Sequence, residues 1–338
     1  MSNEVVLSVK NLSVVFHTPD GDVAAVSDVS FDLRSGETLG IVGESGSGKS
    51  VTASSIMRLN NSVTASTSGS ILISGVDVLT ADESEVRRVR GSEVAMIFQD
   101  PLSALNPYYT VGKQIAEAYL VHHPHVSKSE ARAVTLEMLK KVGIPNPEKR
   151  IDEFPHQFSG GMRQRIVIAI ALINNPKVLI ADEPTTALDV TVQAQILDLM
   201  KELQTEFNMA IVLITHDLGV IAEAAKDVLV MYGGRVVERS TVEALFSEPT
   251  HPYAWGLLGA VNSLSSSGRG ALATIAGSPP SLIALPSGCS FNPRCAYASD
   301  VCRTEVPPLR SIGLQGSVTA CHLPDVEILS IGQGVASR

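Results

Sequence analysis

The chain has 338 residues, of which 44% are apolar and 18% charged, so it can bury a substantial core and is neither disordered nor collagen-like. With 26 basic and 35 acidic residues its formal charge is −9, which argues against nucleic acid as a partner. The longest aliphatic run, 166–173, is far shorter than the roughly 20 residues of a membrane span. The first ten residues lack the pattern of a secretory signal, and we therefore expect a soluble, cytosolic chain.

Strand-like and helix-like segments alternate along the first 250 residues, which predicts an α/β fold. Three of these segments are nearly continuous aliphatic runs, as is typical of strands covered on both faces in a parallel sheet. They lie at 38–42, 178–181 and 210–214. The segments predicted as strands from their β-branched, apolar character are Val5–Val9, Val23–Phe31, Thr38–Val42, Val94–Phe98, Val178–Ala181, Ala210–Ile214 and Val228–Met231.

The stretch from about 101 to 158 has a different character and predicts a helical insertion between two parts of the sheet domain. Ser127 followed by Glu130 is a capping-box pattern, which predicts that a helix begins there. Gly143, with Pro145 beyond it, predicts the end of that helix.

The C-terminal part begins near 250–252, and a Ser- and Gly-rich stretch at 262–270 predicts a flexible connection to an irregular tail. In a reducing compartment, four clustered cysteines favour a metal or cluster site over disulfides. Their spacing includes no close C-x2-C pair and leaves three possibilities open: a [4Fe–4S] cluster, an all-cysteine zinc site, or no metal. His322 is either a substitute ligand or, as we expect, a bystander. The four residues are Cys289, Cys295, Cys302 and Cys321.

A Gly-x4-Gly-Lys-Ser loop follows the strand at 38–42 and leads into an apolar helix. Glycines let successive backbone N–H groups converge on phosphate oxygens, and the helix N-terminus adds attraction for anions. Lys49 would contact the β- and γ-phosphates and Ser50 would hold Mg²⁺. The alternative is a Gly/Ser-rich surface turn. The residues predicted to bind nucleotide are Gly43, Ser45, Gly46, Ser47, Gly48, Lys49 and Ser50.

Two acids, Asp182 and Glu183, end an aliphatic strand, where sheets of this kind bind ligands. Asp182 suits the Mg²⁺ shell, and Glu183 is positioned to polarise an attacking water. The alternative is an acidic capping pair between strand and loop.

Ser159, Gly160 and Gly161 precede a long apolar helix predicted at 166–174. Ser159 can cap that helix while the glycines expose its N-terminal N–H groups, which makes a second anion site. A lone Ser-Gly-Gly is by itself most often only a helix cap.

The sequence SGG-x-R-Q-R followed by VLIADEPTTALD, downstream of the phosphate loop, resembles the nucleotide-binding subunit of an ABC transporter. The resemblance covers about residues 5–250 and implies a P-loop ATPase domain with a mixed sheet and a helical subdomain at about 101–174. Phe158 and Met162 depart from the Leu and Gln that the family signature usually has.

The resemblance also implies roles for single residues. Phe16 matches the aromatic side chain that stacks on adenine, and Gln99 matches the residue that senses Mg²⁺ and the attacking water. The loop 187–189 matches the segment that communicates across a dimer, and His216 matches the histidine that contacts the γ-phosphate. In the family, two domains meet head-to-tail, so that each ATP lies between the phosphate loop of one and the Ser-Gly-Gly of the other. Catalysis would then rest on Glu183, His216, Lys49 and Gln99.

The tail resembles the C-terminal extension of dipeptide and oligopeptide importer ATPases. The resemblance lies in four segments, at 251–258, 277–281, 288–295 and 320–322. The resemblance implies an ATPase domain at 1–250, an extension at 251–338, and a [4Fe–4S] cluster on the four cysteines, with Zn²⁺ as the alternative.

The resemblance implies an ATP- and Mg²⁺-dependent subunit at the cytoplasmic face of the membrane. Its implied partners are two membrane-spanning permease subunits, a second ABC ATPase of the same or a related chain, and an extracytoplasmic peptide-binding protein. Alternatives are an importer of nickel, sugars or another solute, and a soluble ABC ATPase acting on DNA or ribosomes. A non-hydrolysing regulator is argued against by intact Asp182, Glu183 and His216.

Overall fold

A computed structural model describes residues 4–100, 104–186, 188–265, 275–313 and 316–336, with 261–265 described by their backbone alone. The strands are β1 Val5–Thr18, β2 Gly21–Arg34, β3 Thr38–Val42, β4 Ala65–Ile73, β5 Val76–Asp77, β6 Val94–Ile97, β7 Val178–Asp182, β8 Ala210–Ile214, β9 Asp227–Tyr232, β10 Arg235–Thr241, β11 Arg310–Ile312 and β12 Ser317–Thr319.

The helices fill the intervals between strands and the helical insertion. They are α1 Lys49–Ile56, α2 Glu83–Val89, α3 Val111–Leu120, α4 Lys128–Lys141, α5 Pro147–Arg150, α6 Gly160–Leu172, α7 Val190–Phe207, α8 Leu218–Ala224, α9 Val242–Ser247, α10 Pro252–Ser265, α11 Asp300–Thr304 and α12 Asp325–Ala336. Of the helices described here, none is long and apolar enough to cross a membrane.

Two sheets form the framework. A mixed sheet has the order β11-β12-β10-β9-β3-β8-β7-β6, in which β9, β3, β8, β7 and β6 run parallel and the strands from β10 to β11 are antiparallel. A smaller antiparallel sheet has the order β2-β1-β4-β5. Because the parallel strands end at one edge of the mixed sheet, the loops that follow β3, β7 and β8 are brought together.

The central strands are covered on both faces, as their aliphatic runs predict. Leu39 and Ile41 of β3 face a core shared with α1 and the smaller sheet, whereas Val42 faces a second core shared with α6 and α7. The same alternation holds for β7, where Val178 and Ile180 face the first core. This double burial fixes the strand ends that carry the site.

The helical insertion contains α3, α4 and α5 between β6 and β7. Ser127 caps α4 with the expected capping box, and Gly143 follows the end of the helix with φ 72°. The helix after the Ser-Gly-Gly begins at Gly160 and ends at Leu172, so the predicted range 166–174 was wrong at both ends. Because Ser159 provides the cap, the two glycines lie inside the first turn.

The C-terminal part adds β11 and β12 to the mixed sheet and packs α12 against α10. The predicted flexible connection at 262–270 was wrong at its start, since α10 continues to Ser265. Residues 266–270 lie outside the described part of the chain.

Candidate nucleotide-binding site

The phosphate loop joins the buried strand β3 to helix α1, and two of its glycines are required by geometry. Gly43 has φ 153°, and a Cβ there would lie 2.2 Å from the carbonyl oxygen of Met231. Gly48 has φ 100°, and a Cβ there would lie 2.5 Å from the carbonyl oxygen of Ala25. Only glycine fits at such positions, and the loop can therefore curl with its backbone towards a ligand.

Lys49 is buried at the start of α1, with 6% of its surface exposed. Its Nζ donates to the carbonyl oxygens of Gly43 at 2.8 Å and Glu44 at 2.9 Å. Burial lowers the pKa of Lys49, and the nearby carboxylates of Glu183 and Asp182 partly offset that effect. The ammonium thus lies inside the loop, where phosphate oxygens can replace the two carbonyl groups.

Asp182, at the end of β7, fits a Mg²⁺ site together with Ser50. The Asp182 side chain is buried, it accepts a hydrogen bond from the Ser50 hydroxyl, and its Oδ1 has no partner among the described residues. Burial raises the pKa of this carboxyl group, and Lys49 lowers it. A buried carboxylate oxygen without a partner beside a hydroxyl is the hard oxygen donor set that Mg²⁺ prefers.

Glu183 is the centre of a side-chain cluster at the same edge of the sheet. Its Oε2 accepts from Gln99 Nε2 at 2.9 Å and from Thr186 Oγ1 at 2.9 Å, and its Oε1 lies 3.1 Å from His216 Nδ1. Burial alone would raise its pKa, but the hydrogen bonds from Thr186 and His216 hold the pKa below its usual value. The carboxylate is therefore ionised at neutral pH and can accept a proton from water.

The backbone at Glu183 is strained, since its φ of 50° lies in the left-handed region that non-glycine residues seldom adopt. Its N–H donates to the carbonyl oxygen of Ile214, the last residue of β8. This bond holds the loop after β7 close to the loop after β8, and so brings Glu183 and His216 together.

Three predicted elements lie apart from this cluster. Phe16 is half-buried on β1 and packs against the core between the sheets. Ser159 and Gly160 are exposed, and the nearest neighbours of Gly160 and Gly161 are on the segment 188–192. Of the loop 187–189, Ala187 lies outside the described residues. Asp189 caps α7 by accepting from the N–H of Val192 at 2.9 Å.

Some contacts of the site were missed in the sequence. Thr186, which bonds Glu183, lies within the quoted VLIADEPTTALD motif but had no role assigned to it. Tyr253 and Arg294 both contact Glu44 of the phosphate loop from far along the chain. No local pattern in the sequence signals such long-range contacts.

The four cysteines line one small cavity in the C-terminal part, together with His251 and His322. All four thiols are free. Burial raises the pKa of Cys289, Cys295 and Cys321 to about 11 each. As they stand, no three His, Cys, Asp or Glu side chains within the described residues form a group that could hold a metal ion.

A phosphate loop after β3, an Asp-Glu pair after β7 and a histidine after β8 define a P-loop nucleotide hydrolase of the ABC type. Two family models match the chain: "ABC transporter" at residues 26–186 and "Oligopeptide/dipeptide transporter, C-terminal region" at residues 237–302. The α/β expectation, with a mixed sheet and helical subdomain, is confirmed. The chain belongs to the ABC transporter family of ATPases, in the branch of the oligopeptide and dipeptide transport ATP-binding proteins.

Relatives match along most of the chain. The oligopeptide transport ATP-binding protein OppD of Escherichia coli (strain K12) is 50% identical over 326 residues, which are 96% of this chain and 95% of the relative. The dipeptide transport ATP-binding protein DppD of Lactococcus lactis subsp. cremoris (strain MG1363) is 52% identical over 308 residues, 91% of this chain and 88% of the relative.

A solved structure similar to this fold is the dimeric ATP-binding cassette MJ0796 in a post-hydrolysis state bound to ADP and Pi. It is 28% identical, has a TM-score of 0.62, and covers 70% of this chain and 98% of its own.

Proposed function

We propose that this chain hydrolyses ATP to power an importer of oligopeptides or dipeptides. The observation that carries the ATPase chemistry is the convergence of Gln99 and His216 on the Glu183 carboxylate, next to Asp182 and Lys49. The peptide cargo is supported by the match to the oligopeptide/dipeptide C-terminal region and by the names of the relatives.

The geometry supports in-line attack of water on the γ-phosphate. Glu183 accepts the proton of the attacking water, and Gln99 orients the water through its amide. Lys49 and His216 stabilise charge that develops on the phosphate oxygens. Ser50 and Asp182 would hold Mg²⁺, which would neutralise negative charge on the phosphates.

Turnover requires a change at Glu183. Its carboxylate contacts Gln99, His216 and Thr186, which compete with an attacking water for the carboxylate oxygens. The γ-phosphate of ATP would draw His216 away, and Gln99 would turn towards the attacking water, so that Glu183 becomes free to accept its proton. Adenine stacks on Phe16 in this proposal.

We propose a head-to-tail dimer as the active form. Ser159 and Gly160 are exposed at the N-terminus of α6, which leaves their backbone N–H groups accessible to the ATP bound on a facing subunit. The similar cassette MJ0796 is dimeric by its title. The facing subunit is a second copy or a related ATPase.

The test of the ATPase role is Glu183→Gln in the full chain. It should retain ATP binding and lower kcat by about 10²–10⁴-fold, and it should trap a closed dimer by size-exclusion chromatography with ATP. Glu202→Gln, on the exposed side of α7, is the matched control and should hydrolyse ATP at the normal rate. Unchanged turnover in Glu183→Gln would remove Glu183 from the catalytic role.

The helical insertion offers a docking groove of about 730 Å³ between α3 and α4. Its wall combines apolar surface from Ala116 and Leu120 with charges from Lys113 and Arg132. We propose that a short cytoplasmic helix of a membrane-spanning permease subunit binds there, so that dimer closure moves the translocation path. Two such subunits and an extracytoplasmic peptide-binding protein complete the importer, with this chain at the cytoplasmic face of the membrane.

Nickel, sugars or another solute are the alternative cargo, because the ATPase itself does not contact what is transported. Uptake by a deletion strain separates these possibilities. We expect loss of peptide uptake with normal uptake of nickel and sugars, restored by the unaltered chain but not by Glu183→Gln. The reverse pattern of uptake would reject the peptide assignment while leaving the ATPase role intact.

We also propose that residues 1–250 form the ATPase domain and 251–338 an extension that holds a [4Fe–4S] cluster on its four cysteines. Support comes from the four thiols that line one cavity and from four thiolates being a ligand set that such a cluster takes. Anaerobically purified protein should be brown and contain acid-labile sulfide, whereas colourless protein with one zinc would reverse the assignment.

A further inference from the structure

The C-terminal part reaches the phosphate loop through one arginine. Arg294 lies directly before Cys295, and its side chain is 5% exposed. Its guanidinium forms a bidentate ion pair with Glu44, from Nη1 to Oε2 at 2.6 Å and from Nη2 to Oε1 at 3.1 Å. These residues are 250 positions apart in the chain. A planar fork of this kind fixes both partners in direction as well as distance.

The remaining donors of Arg294 are also used, so the side chain cannot turn away. Its Nε donates to the carbonyl oxygen of Ala276 at 2.9 Å, Nη2 donates to that of Ile275 at 3.3 Å, and Nη1 donates to the hydroxyl of Tyr232 at 3.2 Å. The guanidinium is therefore a rigid connection rather than a mobile surface charge.

The turn that carries Arg294 is itself fixed to the cysteine cavity. Asn292 donates through Nδ2 to the carbonyl oxygens of Ser287 and Cys289, and the N–H of Arg294 donates to that of Phe291. The Phe291 ring packs edge-on against Tyr232, with the ring centres 5.1 Å apart. The position of the guanidinium is thus set by the packing around the cysteines.

Glu44 is held at three points, and two of them come from outside the loop. Its carboxylate binds Arg294, its backbone N–H donates to the Tyr253 hydroxyl at 2.7 Å, and its carbonyl oxygen accepts from Lys49. The N–H of Glu44 is therefore directed to Tyr253, and both the backbone and the side chain of this loop residue are fixed by residues of the C-terminal part.

We propose that Arg294 is a positioning residue for ATP binding: through the Arg294–Glu44 ion pair, the cysteine-rich C-terminal part holds the phosphate loop in its nucleotide-binding conformation. The proposal concerns affinity for the triphosphate, and it depends neither on the cargo nor on whether the cysteine cavity holds a metal. Without this restraint the loop would lose conformational freedom when ATP binds, and this loss of entropy would weaken binding.

Glu44→Gln gives the sharpest test, because simple electrostatics and the proposal predict opposite results. Removing a negative charge beside a triphosphate should tighten binding if only long-range charge mattered. If the ion pair positions the loop, the same change weakens binding, by about tenfold. The measurement is the Kd of Mg²⁺ and a non-hydrolysable ATP analogue for the full chain by titration calorimetry. Unchanged or tighter binding would overturn the proposal.

Arg294→Ala should weaken binding to the same extent, and the double variant with Glu44→Gln should be no weaker than either single variant. Additive losses would contradict the proposal, since the two side chains would then act separately. Arg310→Ala is the matched control. Arg310 bonds the carbonyl oxygens of Cys321 and Leu323 and pairs with Asp325, without contact to the loop. It should keep normal affinity; a loss equal to that of Arg294→Ala would mean general loosening and overturn the proposal.

Discussion

The two ends of the Arg294–Glu44 ion pair belong to regions that are built differently. The ATP site is assembled from loops that each follow directly on a buried parallel strand, so its side chains are positioned by their own local sequence. The cysteine-rich part has few regular elements and is held by contacts between residues far apart, such as the aromatic cluster of Tyr232, Tyr253 and Phe291. Apart from Arg294, which we propose acts on the phosphate loop, we therefore expect substitutions in the first region to change activity and those in the second to change stability.

The largest expected effect is on activity, from Lys49→Met. Its ammonium is the buried cation aimed at the phosphates, and its loss should lower kcat/KM for ATP by about 10³-fold, as for removal of a key electrostatic contact. Steady-state hydrolysis by the assembled complex measures this. The melting temperature of the chain alone should change little. A large fall in the melting temperature would contradict the expectation that substitutions in the ATP site change activity and not stability.

The next effect is on stability, from Phe291→Ala. This ring is 4% exposed and contacts Tyr232 and Tyr253, so its removal leaves a cavity and should cost about 3 kcal/mol in the free energy of unfolding. Urea unfolding measures it. Leu309→Ala, in the same region but 47% exposed, should cost far less. Equal costs for the two variants would mean that the aromatic cluster does not hold the region.

The smallest effect is the pH dependence of stability at Glu238, where the two regions share a sheet. This carboxyl group is fully buried and accepts from the N–H groups of Thr250 and His251, and burial raises its pKa to about 7. In the unfolded chain, the carboxyl group of Glu238 loses its proton near pH 4.5. The stability that the group contributes is therefore complete below about pH 4.5, falls as the pH rises to about 7, and does not change further above pH 7.

From pH 5 to pH 8, the free energy of unfolding should therefore fall less in Glu238→Gln than in the unaltered chain. The difference between the two falls should be about 1–3 kcal/mol. Urea unfolding at the two pH values measures the difference. The same pH dependence in both proteins would show that Glu238 is ionised at a normal pKa despite its burial.

The sequence predicted the strands and loops around the candidate ATP site because their determinants are local. Each predicted strand is present, and β1 and β2 are simply longer than Val5–Val9 and Val23–Phe31. An aliphatic strand followed by a glycine loop or an acidic pair carries its own geometry, which is why Lys49 and Asp182 could be placed without knowledge of the fold. The roles of all the predicted site residues remain predictions, and those of Phe16, Ser159 and Gly161 depend on a ligand and a facing subunit.

Other features depend on distant residues and left no local signal. The strands β11 and β12 are three residues each, too short for a periodic pattern. The contact of Arg294 with Glu44 pairs two charged residues that sequence alone would place on a solvated surface. The predicted cap Ser159 does cap α6, but the range 166–174 followed the apolar run alone and so left out the first turn, which begins at Gly160.

The pairing of β12 with β10 has a consequence for how the chain can be cut. Glu238 and Arg239 face Thr319 and Val318 across this ladder. A fragment that stopped near residue 250 would leave the backbone groups of β10 bare, and a bare strand recruits other chains. We expect such a fragment to aggregate, because β10 would lose the strand from the C-terminal part that pairs with its edge.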